Sequence, residues 1–471
     1  MAAGPFSVIP PRCVGDTVSF TDADTAHLLH ALVLLLTAAH GCGYLFAHFH
    51  QPRVIGEIVG GLLLGPTVLG ALWPHFEAIV FPAGGPTSPV LGAVYQLGLL
   101  LLMFCSGAEI RASLQRKESK AVALIAALGT VVPFAAAMLF IHLVSPGGLQ
   151  GTASTPSSFL LVFSIAIAVT SIPVISRIMF DLGILETPFA RIVLATAVIE
   201  DVILYVLLSV ALGLVQQGGT GFGLPKVLGI DHGSGLDIAY HVLITVSFFA
   251  IALWVGPRLF AWSSAFRYNL LKRGNSIAFQ LVFMLVLSGI CVFVGVVPLF
   301  GAFVAGIVVG SSDEQNSESR ADIQRFSFAF FVPVFFAIVG WRLNLISHFD
   351  PIFFLYFAAF ACLAKSLSVF AGSRLAGESR KASRNFAVAM NARGGPAIVL
   401  ASVALDARII NEKFYASLVM LAIVTSMLAG SWLGRIVRRG GALRPLTTNA
   451  RATLSKEPEV RQPVEEDATA S

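Results

Sequence analysis

Glu200 and Asp201 stand side by side in a segment, about 190 to 216, that is otherwise almost wholly apolar. An ionised carboxylate at bilayer depth costs about 2.5–3.5 kcal/mol on an insertion scale, so it has to face a partner or a water-filled cavity. Just upstream, Thr170, Ser171 and Pro173 interrupt another apolar stretch. A proline there removes a backbone donor, and a helix broken at depth frees carbonyls that can ligate a cation. Carboxylate, hydroxyl and carbonyl oxygens together suit a partly dehydrated monovalent ion, and protonating the carboxylate would remove that site. A carboxylate withdrawn from water also binds protons more tightly, so competition between cation and proton is expected to depend on pH. The cation site is therefore expected to comprise Asp201, Thr170 and freed carbonyls near Ser171, with Glu200 beside it.

Successive helical residues point about 100° apart, so Glu200 and Asp201 do not share one environment. One is expected to be paired while the other faces the cavity. Lys365, the only lysine within an expected span, is the best partner, because a lysine at that depth needs a carboxylate within a few ångströms or must give up its proton. Arg393 is the other deep cation, and it either caps freed carbonyls or takes part directly. Glu109, next to Arg111, and Glu57 in a Gly-rich segment are candidates to line the pathway; an interfacial ion pair is the simpler reading for Glu109. Arg342, near a span end, is expected to be structural and to snorkel. The ten histidines fall mostly near span ends or in loops, and no metal-ligand spacing connects them.

These residues must be positioned by membrane helices. The 471-residue chain is 56% hydrophobic and 12% charged, with mean hydropathy +0.82, which excludes an ordinary soluble enzyme and points to an all-α polytopic membrane protein. About thirteen transmembrane helices are expected, near 26–47, 54–72, 90–110, 121–144, 158–181, 190–216, 237–258, 275–294, 296–311, 326–346, 351–373, 385–405 and 414–436. Basic loops at 111–120, 258–273 and 374–384, together with Arg435, Arg438 and Arg439, fall on one side if the count is odd and the N-terminus is outside. The expected organisation is an extracytoplasmic tail over 1–25, a transmembrane domain over 26–436 and a disordered cytoplasmic tail over 437–471, in a bacterial-type inner membrane. No cleaved leader is expected, because no basic region runs directly into a short apolar core. The five cysteines give no disulfide framework.

Internal repetition is visible when the second expected span is laid over the ninth. Gly56, Gly61 and Gly65 then stand opposite Gly301, Gly306 and Gly310 without a gap, and in the following span of each half Gly107 meets Gly340 while Glu109 meets Arg342. Spans seven apart cross in opposite senses, so the repeat is expected to be inverted, with its site where two broken helices cross near the midplane. Adding seven to the broken fifth span predicts a broken twelfth, and that span contains Gly394, Gly395 and Pro396.

In these residues the chain resembles the monovalent cation/proton antiporter superfamily, specifically its second subfamily, which includes bacterial sodium/proton and potassium/proton exchangers. The resemblance covers about residues 26 to 436 and rests on motifs in order: Gln51 to Ile58 with Leu64, Gly65 and Pro66; Thr170 and Ser171; Ile199 to Asp201; Phe331 to Phe336; Lys365; and Met390 to Gly394. It implies an inverted-repeat fold, a homodimer and a core that moves against a scaffold. By residue, it makes Asp201 similar to the ion- and proton-binding aspartate, Glu200 to the acid before it and Lys365 to the lysine that pairs with that acid. Glu200 departs from the Asp-Asp, Asn-Asp and Gln-Asp pairs of other members, keeping a charge while lengthening its reach. The segment after the last span is far too short for the nucleotide-binding regulatory domain of the potassium efflux relatives.

The expected function is secondary antiport of Na⁺ or K⁺ against protons by competition for buried Asp201 with alternating access. The alternative is a monovalent cation channel or leak pathway without coupled exchange, and an organic-anion symporter on a similar scaffold is a third class. No enzymatic chemistry, no cofactor beyond the transported ions and no nucleic-acid partner is expected.

Overall fold

The computed structural model describes residues 21–49, 51–82, 86–108, 118–144, 148–215, 224, 235–266, 269–311 and 317–444. In chain order its helices are α1 (Asp22–His48), α2 (Arg53–Leu64), α3 (Leu69–Leu72), α4 (Pro74–Val80), α5 (Thr87–Ala108), α6 (Ser119–Val144), α7 (Pro156–Ala168), α8 (Ile172–Asp181), α9 (Pro188–Gly213), α10 (Gly235–Ala265), α11 (Leu270–Gly274), α12 (Ser276–Val294), α13 (Pro298–Gly310), α14 (Ser317–Phe326), α15 (Val332–Trp341), α16 (Leu345–His348), α17 (Pro351–Leu375), α18 (Arg380–Ala389), α19 (Gly394–Asp406) and α20 (Glu412–Arg438). Among the described residues there is no strand beyond a single bridge between Gln150 and Ile410.

Among the described residues, eleven helical spans are long and apolar enough to cross a bilayer. All thirteen expected segments coincide with helix, but several are not single long helices. The expected 158–181 segment is α7 plus α8, and 296–311 is α13; α7 and α13 have 13 residues each. At 1.5 Å per residue that is about 20 Å, short of a hydrocarbon core of about 30 Å. The expected twelfth span is likewise divided into α18 and α19.

The helices pack as two groups. In one, α1, α2, α5, α12, α13 and α15 lie against one another; in the other, α6 to α9 and α17 to α20 do so. Helix α10 touches both, resting on α9 and on α13.

Glycines set how closely the first group packs. A Cβ at Gly61 would lie 1.8 Å from the Ala337 carbonyl oxygen, and one at Gly340 would lie 1.9 Å from that of Ile58, so α2 and α15 touch backbone to backbone. The same contact recurs between α5 and α13, where a Cβ at Gly107 or Gly306 would come within 2.1 Å of the Phe303 or Phe104 carbonyl. Without a hydrophobic driving force between helices in lipid, such close approach is a main source of association.

Proline placement decides where helices depart from the α-form. Pro333 has no N–H for the Ala329 carbonyl, the chain takes a π turn over Ser327–Phe331, and His40 Nε2 donates to that carbonyl at 2.9 Å. A carbonyl only accepts, so Nε2 carries the proton in this contact.

Gly340→Ala should destabilise the protein by about 1–3 kcal/mol, the usual cost of overpacking against backbone that cannot yield. Gly41→Ala, whose Cβ would meet nothing within 4 Å, should leave stability unchanged or slightly raised. Thermal unfolding of the two purified variants in detergent checks the difference, and equal melting temperatures would contradict the packing account.

Candidate functional site

The site forms where two interrupted helices meet. Helix α7 ends at Ala168 and α8 starts at Ile172, with Ser171 as its N-cap; α18 ends at Ala389 and α19 starts at Gly394. The two breaks satisfy each other's freed backbone. Thr170 Oγ1 donates to the Met390 carbonyl at 2.7 Å, Ser171 N donates to the Ala392 carbonyl at 2.7 Å, and Arg393 Nη2 donates to the Ile167 carbonyl at 3.0 Å. Pro396 follows four residues after Ala392 and has no N–H to offer that carbonyl, so Ser171 is its donor instead. Gly394 sits where a Cβ would lie 2.0 Å from a Val174 methyl, which holds α8 and α19 close.

Lys365, on α17, is fully buried beside this crossing. Its Nζ donates to Glu200 Oε1 at 2.7 Å, to the Ala168 carbonyl at 2.6 Å and to the Gly129 carbonyl at 2.9 Å. An ammonium has three protons, and all three are engaged. The Gly129 acceptor is available because Pro133, four residues on in α6, lacks the N–H that would otherwise bond it. Gly129 also has to be small, since a Cβ there would meet Glu200 Oε1 at 3.0 Å.

Arg393 is also fully buried. It donates to the Ile167 and Ala361 carbonyls at 3.0 and 2.8 Å and to Asn391 Oδ1 at 3.0 Å. Asn391 in turn donates to Ser366 Oγ at 2.7 Å. Two cations, Arg393 and Lys365, therefore occupy the last carbonyls of α7, the negative end of that helix dipole.

The structure brings Glu200, Lys365, Thr170, Ser171 and Arg393 into one connected cluster. Of the two expectations for Arg393, carbonyl capping is what the contacts display. Asp201 is separate: it is 1% exposed, and neither carboxylate oxygen has a hydrogen-bond partner among the described residues. The Thr170 hydroxyl, expected beside Asp201, is directed to Met390. A small cavity between α6, α7 and α9 reaches Glu200, whose Oε2 is unpartnered among the described residues; Thr130 is the other polar side chain on its wall. Glu57 is buried on α2 facing α1, with its Cγ 3.5 Å from where a Cβ on Gly43 would lie, so it is not part of the cluster. Glu109 lies outside the described residues. Arg342 pairs with Asp406 at 2.6 Å, where a snorkelling side chain was expected.

The residues missed in the sequence are Gly129, Pro133 and Asn391. Pro133 in the middle of an apolar span was the available signal, because an intrahelical proline always leaves a carbonyl four residues earlier in need of a donor.

A family model described as "Sodium/hydrogen exchanger, transmembrane" matches residues 32–439, and the chain belongs to that family, within the monovalent cation/proton antiporter superfamily. It is an integral membrane protein. Among its relatives, the Na(+)/H(+) antiporter NhaS4 of Synechocystis is 26% identical over 421 residues, covering 88% of this chain and 98% of that one. The Na(+)/H(+) antiporter of Enterococcus hirae is 25% identical, covering 84% and 95%. The K(+)/H(+) antiporter 1 of Saccharomyces cerevisiae is 27% identical, with this chain spanning 45% of its length. The fold is similar to that of the sodium proton antiporter MjNhaP1 from Methanocaldococcus jannaschii, with TM-score 0.62, 16% identity and coverage of 88% and 99%.

Removing one member of a buried ion pair strands the other, at a typical cost of about 3–5 kcal/mol, whereas replacing both by apolar residues is often neutral. Lys365→Met should therefore lower the thermal midpoint strongly, and adding Glu200→Leu should recover most of the loss. A single variant as stable as the wild type would mean that the pair does not hold the crossing.

Proposed function

We propose that the protein is a secondary antiporter that exchanges Na⁺ or K⁺ for protons, with Asp201 holding one or the other in turn. The observation that carries this reading is the unequal treatment of two neighbouring acids. Glu200 is neutralised by Lys365 at 2.7 Å, while Asp201, one residue on and equally buried, has both oxygens unpartnered among the described residues. A carboxylate left so at bilayer depth needs a proton or a metal cation, and it cannot carry both. The antiporter relatives from bacteria and yeast support the same chemistry.

In this mechanism Glu200 and Lys365 are fixed charges that hold the break in α7–α8 against α17, and Arg393 closes the break from the other side. Either loaded form of Asp201 reorients with the group α6–α9 and α17–α20 as it moves against α1, α2, α5, α12, α13 and α15. The empty charged form does not, because it would carry an uncompensated charge through the apolar part of the path. Coupling follows without enzyme chemistry or nucleotide.

An inverted repeat underlies this motion. The reciprocal contacts of Gly61 with Ala337 and of Gly306 with Phe104 support it, because aligning α2 with α13 and α5 with α15 maps one contact onto the other. The working unit in this reading is a homodimer in a bacterial-type inner membrane, with its N-terminus outside and C-terminus cytoplasmic. A cation channel is the weaker reading, since the crossing is filled by hydrogen bonds from Thr170, Ser171 and Arg393.

In everted vesicles or proteoliposomes with an imposed proton gradient, dequenching of a pH-sensitive dye should follow addition of Na⁺ or K⁺, and Asp201→Asn should abolish it. Wild-type exchange by that variant would exclude Asp201 as the carrier. Gradient collapse that follows voltage without added cation would indicate a channel.

A further inference from the structure

The two helix groups are joined by charge at one end of the molecule. Helices α15 and α19 belong to different groups and both finish there, with Arg342 immediately after α15 and Asp406 closing α19. Arg342 Nη2 lies 2.6 Å from Asp406 Oδ1, and the two side chains are 15% and 32% exposed. The Arg342 guanidinium rests 5.5 Å above the ring of Tyr95, on α5 in its own group. Deeper in the same seam, Tyr415 of α20 is buried and donates to the Val339 carbonyl of α15 at 3.0 Å. A second charged contact, His348 Nδ1 to Glu412 Oε2 at 2.8 Å, lies farther along the same face. The Arg342–Asp406 and Tyr415–Val339 links each run from one group to the other, while His348 sits on α16, the short helix that follows α15. Toward the opposite face the same groups are spanned by a neutral hydrogen bond, Gln51 Nε2 to Ser431 Oγ at 3.3 Å.

We infer that Arg342 and Asp406 form a clasp that holds the two groups together on this face and must open for the buried carboxylates to be reached from it. Asp406 sits at the C-terminal end of α19, where a negative charge is opposed by the helix dipole. Arg342 relieves that repulsion only while the groups are in contact, so the pair favours the closed arrangement specifically. Arg342 itself keeps the Tyr95 ring in either arrangement, being on the same group, which makes Asp406 the partner that loses most on opening. The leverage is direct, because α19 is a single 13-residue helix running from Gly394 at the crossing to Asp406 at the clasp. Displacing its far end displaces the crossing with it. Both are positioning residues, since neither is among the polar groups around Asp201 and Glu200.

The inference rests on the antiport reading, and its test separates the two. Ser402, buried on α19 one turn before Asp406, becomes a reporter as Ser402→Cys in an otherwise cysteine-free background shown to keep the wild-type melting temperature in detergent. Labelling by a membrane-impermeant maleimide is followed from the face that carries residue 406, alone and with Asp406→Asn, Arg342→Gln or the exchanged pair Arg342→Asp with Asp406→Arg. Each single change should raise the labelling rate about fivefold, the population shift that a partly exposed ion pair can sustain. It should also lower the apparent KM for the cation on that face, while the exchanged pair returns both towards wild type. Wild-type labelling in both single variants, or an exchanged pair as reactive as the singles combined, would overturn the clasp. Labelling is read without any transport, so a wild-type protein that fails to exchange cations for protons would defeat the antiport reading and leave the clasp result standing.

Discussion

Three hydrogen bonds from one ammonium group hold the centre of this molecule. Lys365 joins the carboxylate of Glu200 on α9, the terminal carbonyl of α7 and a carbonyl in the middle of α6, so four helices meet at a single nitrogen. A lysine withdrawn from water is costly in isolation and needs full pairing to persist. Each of the three acceptors is supplied by a distinct defect or charge: a proline in α6, the premature end of α7, and an acid in α9. None of these would be stable in lipid without the lysine, and the lysine would not be stable without them. The mutual dependence explains why an apolar bundle tolerates a broken helix there.

Around that centre, the breaks in α7–α8 and α18–α19 are arranged so that each supplies donors for the other. Thr170 and Ser171 give an O–H and an N–H to carbonyls of the second break, and Arg393 returns one guanidinium bond to the Ile167 carbonyl of the first and another to the Ala361 carbonyl of α17. Backbone groups freed at membrane depth are thus satisfied by protein, the condition under which irregular backbone is tolerated there. The cluster is therefore stiff, and Asp201 stands beside it without being tied to it. A rigid, charge-balanced frame next to an untied acid is what allows that acid to change its ligand without the frame collapsing.

Much of this was legible in the sequence because the relevant signals are extreme in a chain of this composition. A lysine, an arginine and two acids inside apolar segments announce themselves, and Gly-Gly-Pro in the second break is as visible as the proline of the first. That Lys365 pairs with one of the two acids followed from counting which deep charges exist, and the family resemblance pointed to Glu200 as that acid. What stayed hidden depends on geometry instead. Gly129 is one of 43 glycines, and its role comes from a neighbour on α17 together with a proline one turn later. The direction of the Thr170 hydroxyl is set by which carbonyl lies opposite after the helices cross, and no spacing encodes that. Arg342 read as a snorkelling side chain because Asp406 fell just beyond the expected end of its span, and an apparent loop acid gave no reason to join them.

The same logic separates α13 from the two broken helices. It is only 13 residues long and almost wholly buried, yet among the described residues it contains no proline after its first turn and no charged side chain. Its glycines bring it against α5 and α12, where a Cβ on Gly301 would lie 2.6 Å from the Leu287 carbonyl. Short length alone therefore does not make a site in this fold. A short helix with its ends satisfied and its sides packed on backbone is a strut, whereas α7 ends on carbonyls that only buried cations reach. The distinction lies in the polar atoms left over when a helix stops, and in this protein those atoms coincide with the deep charges.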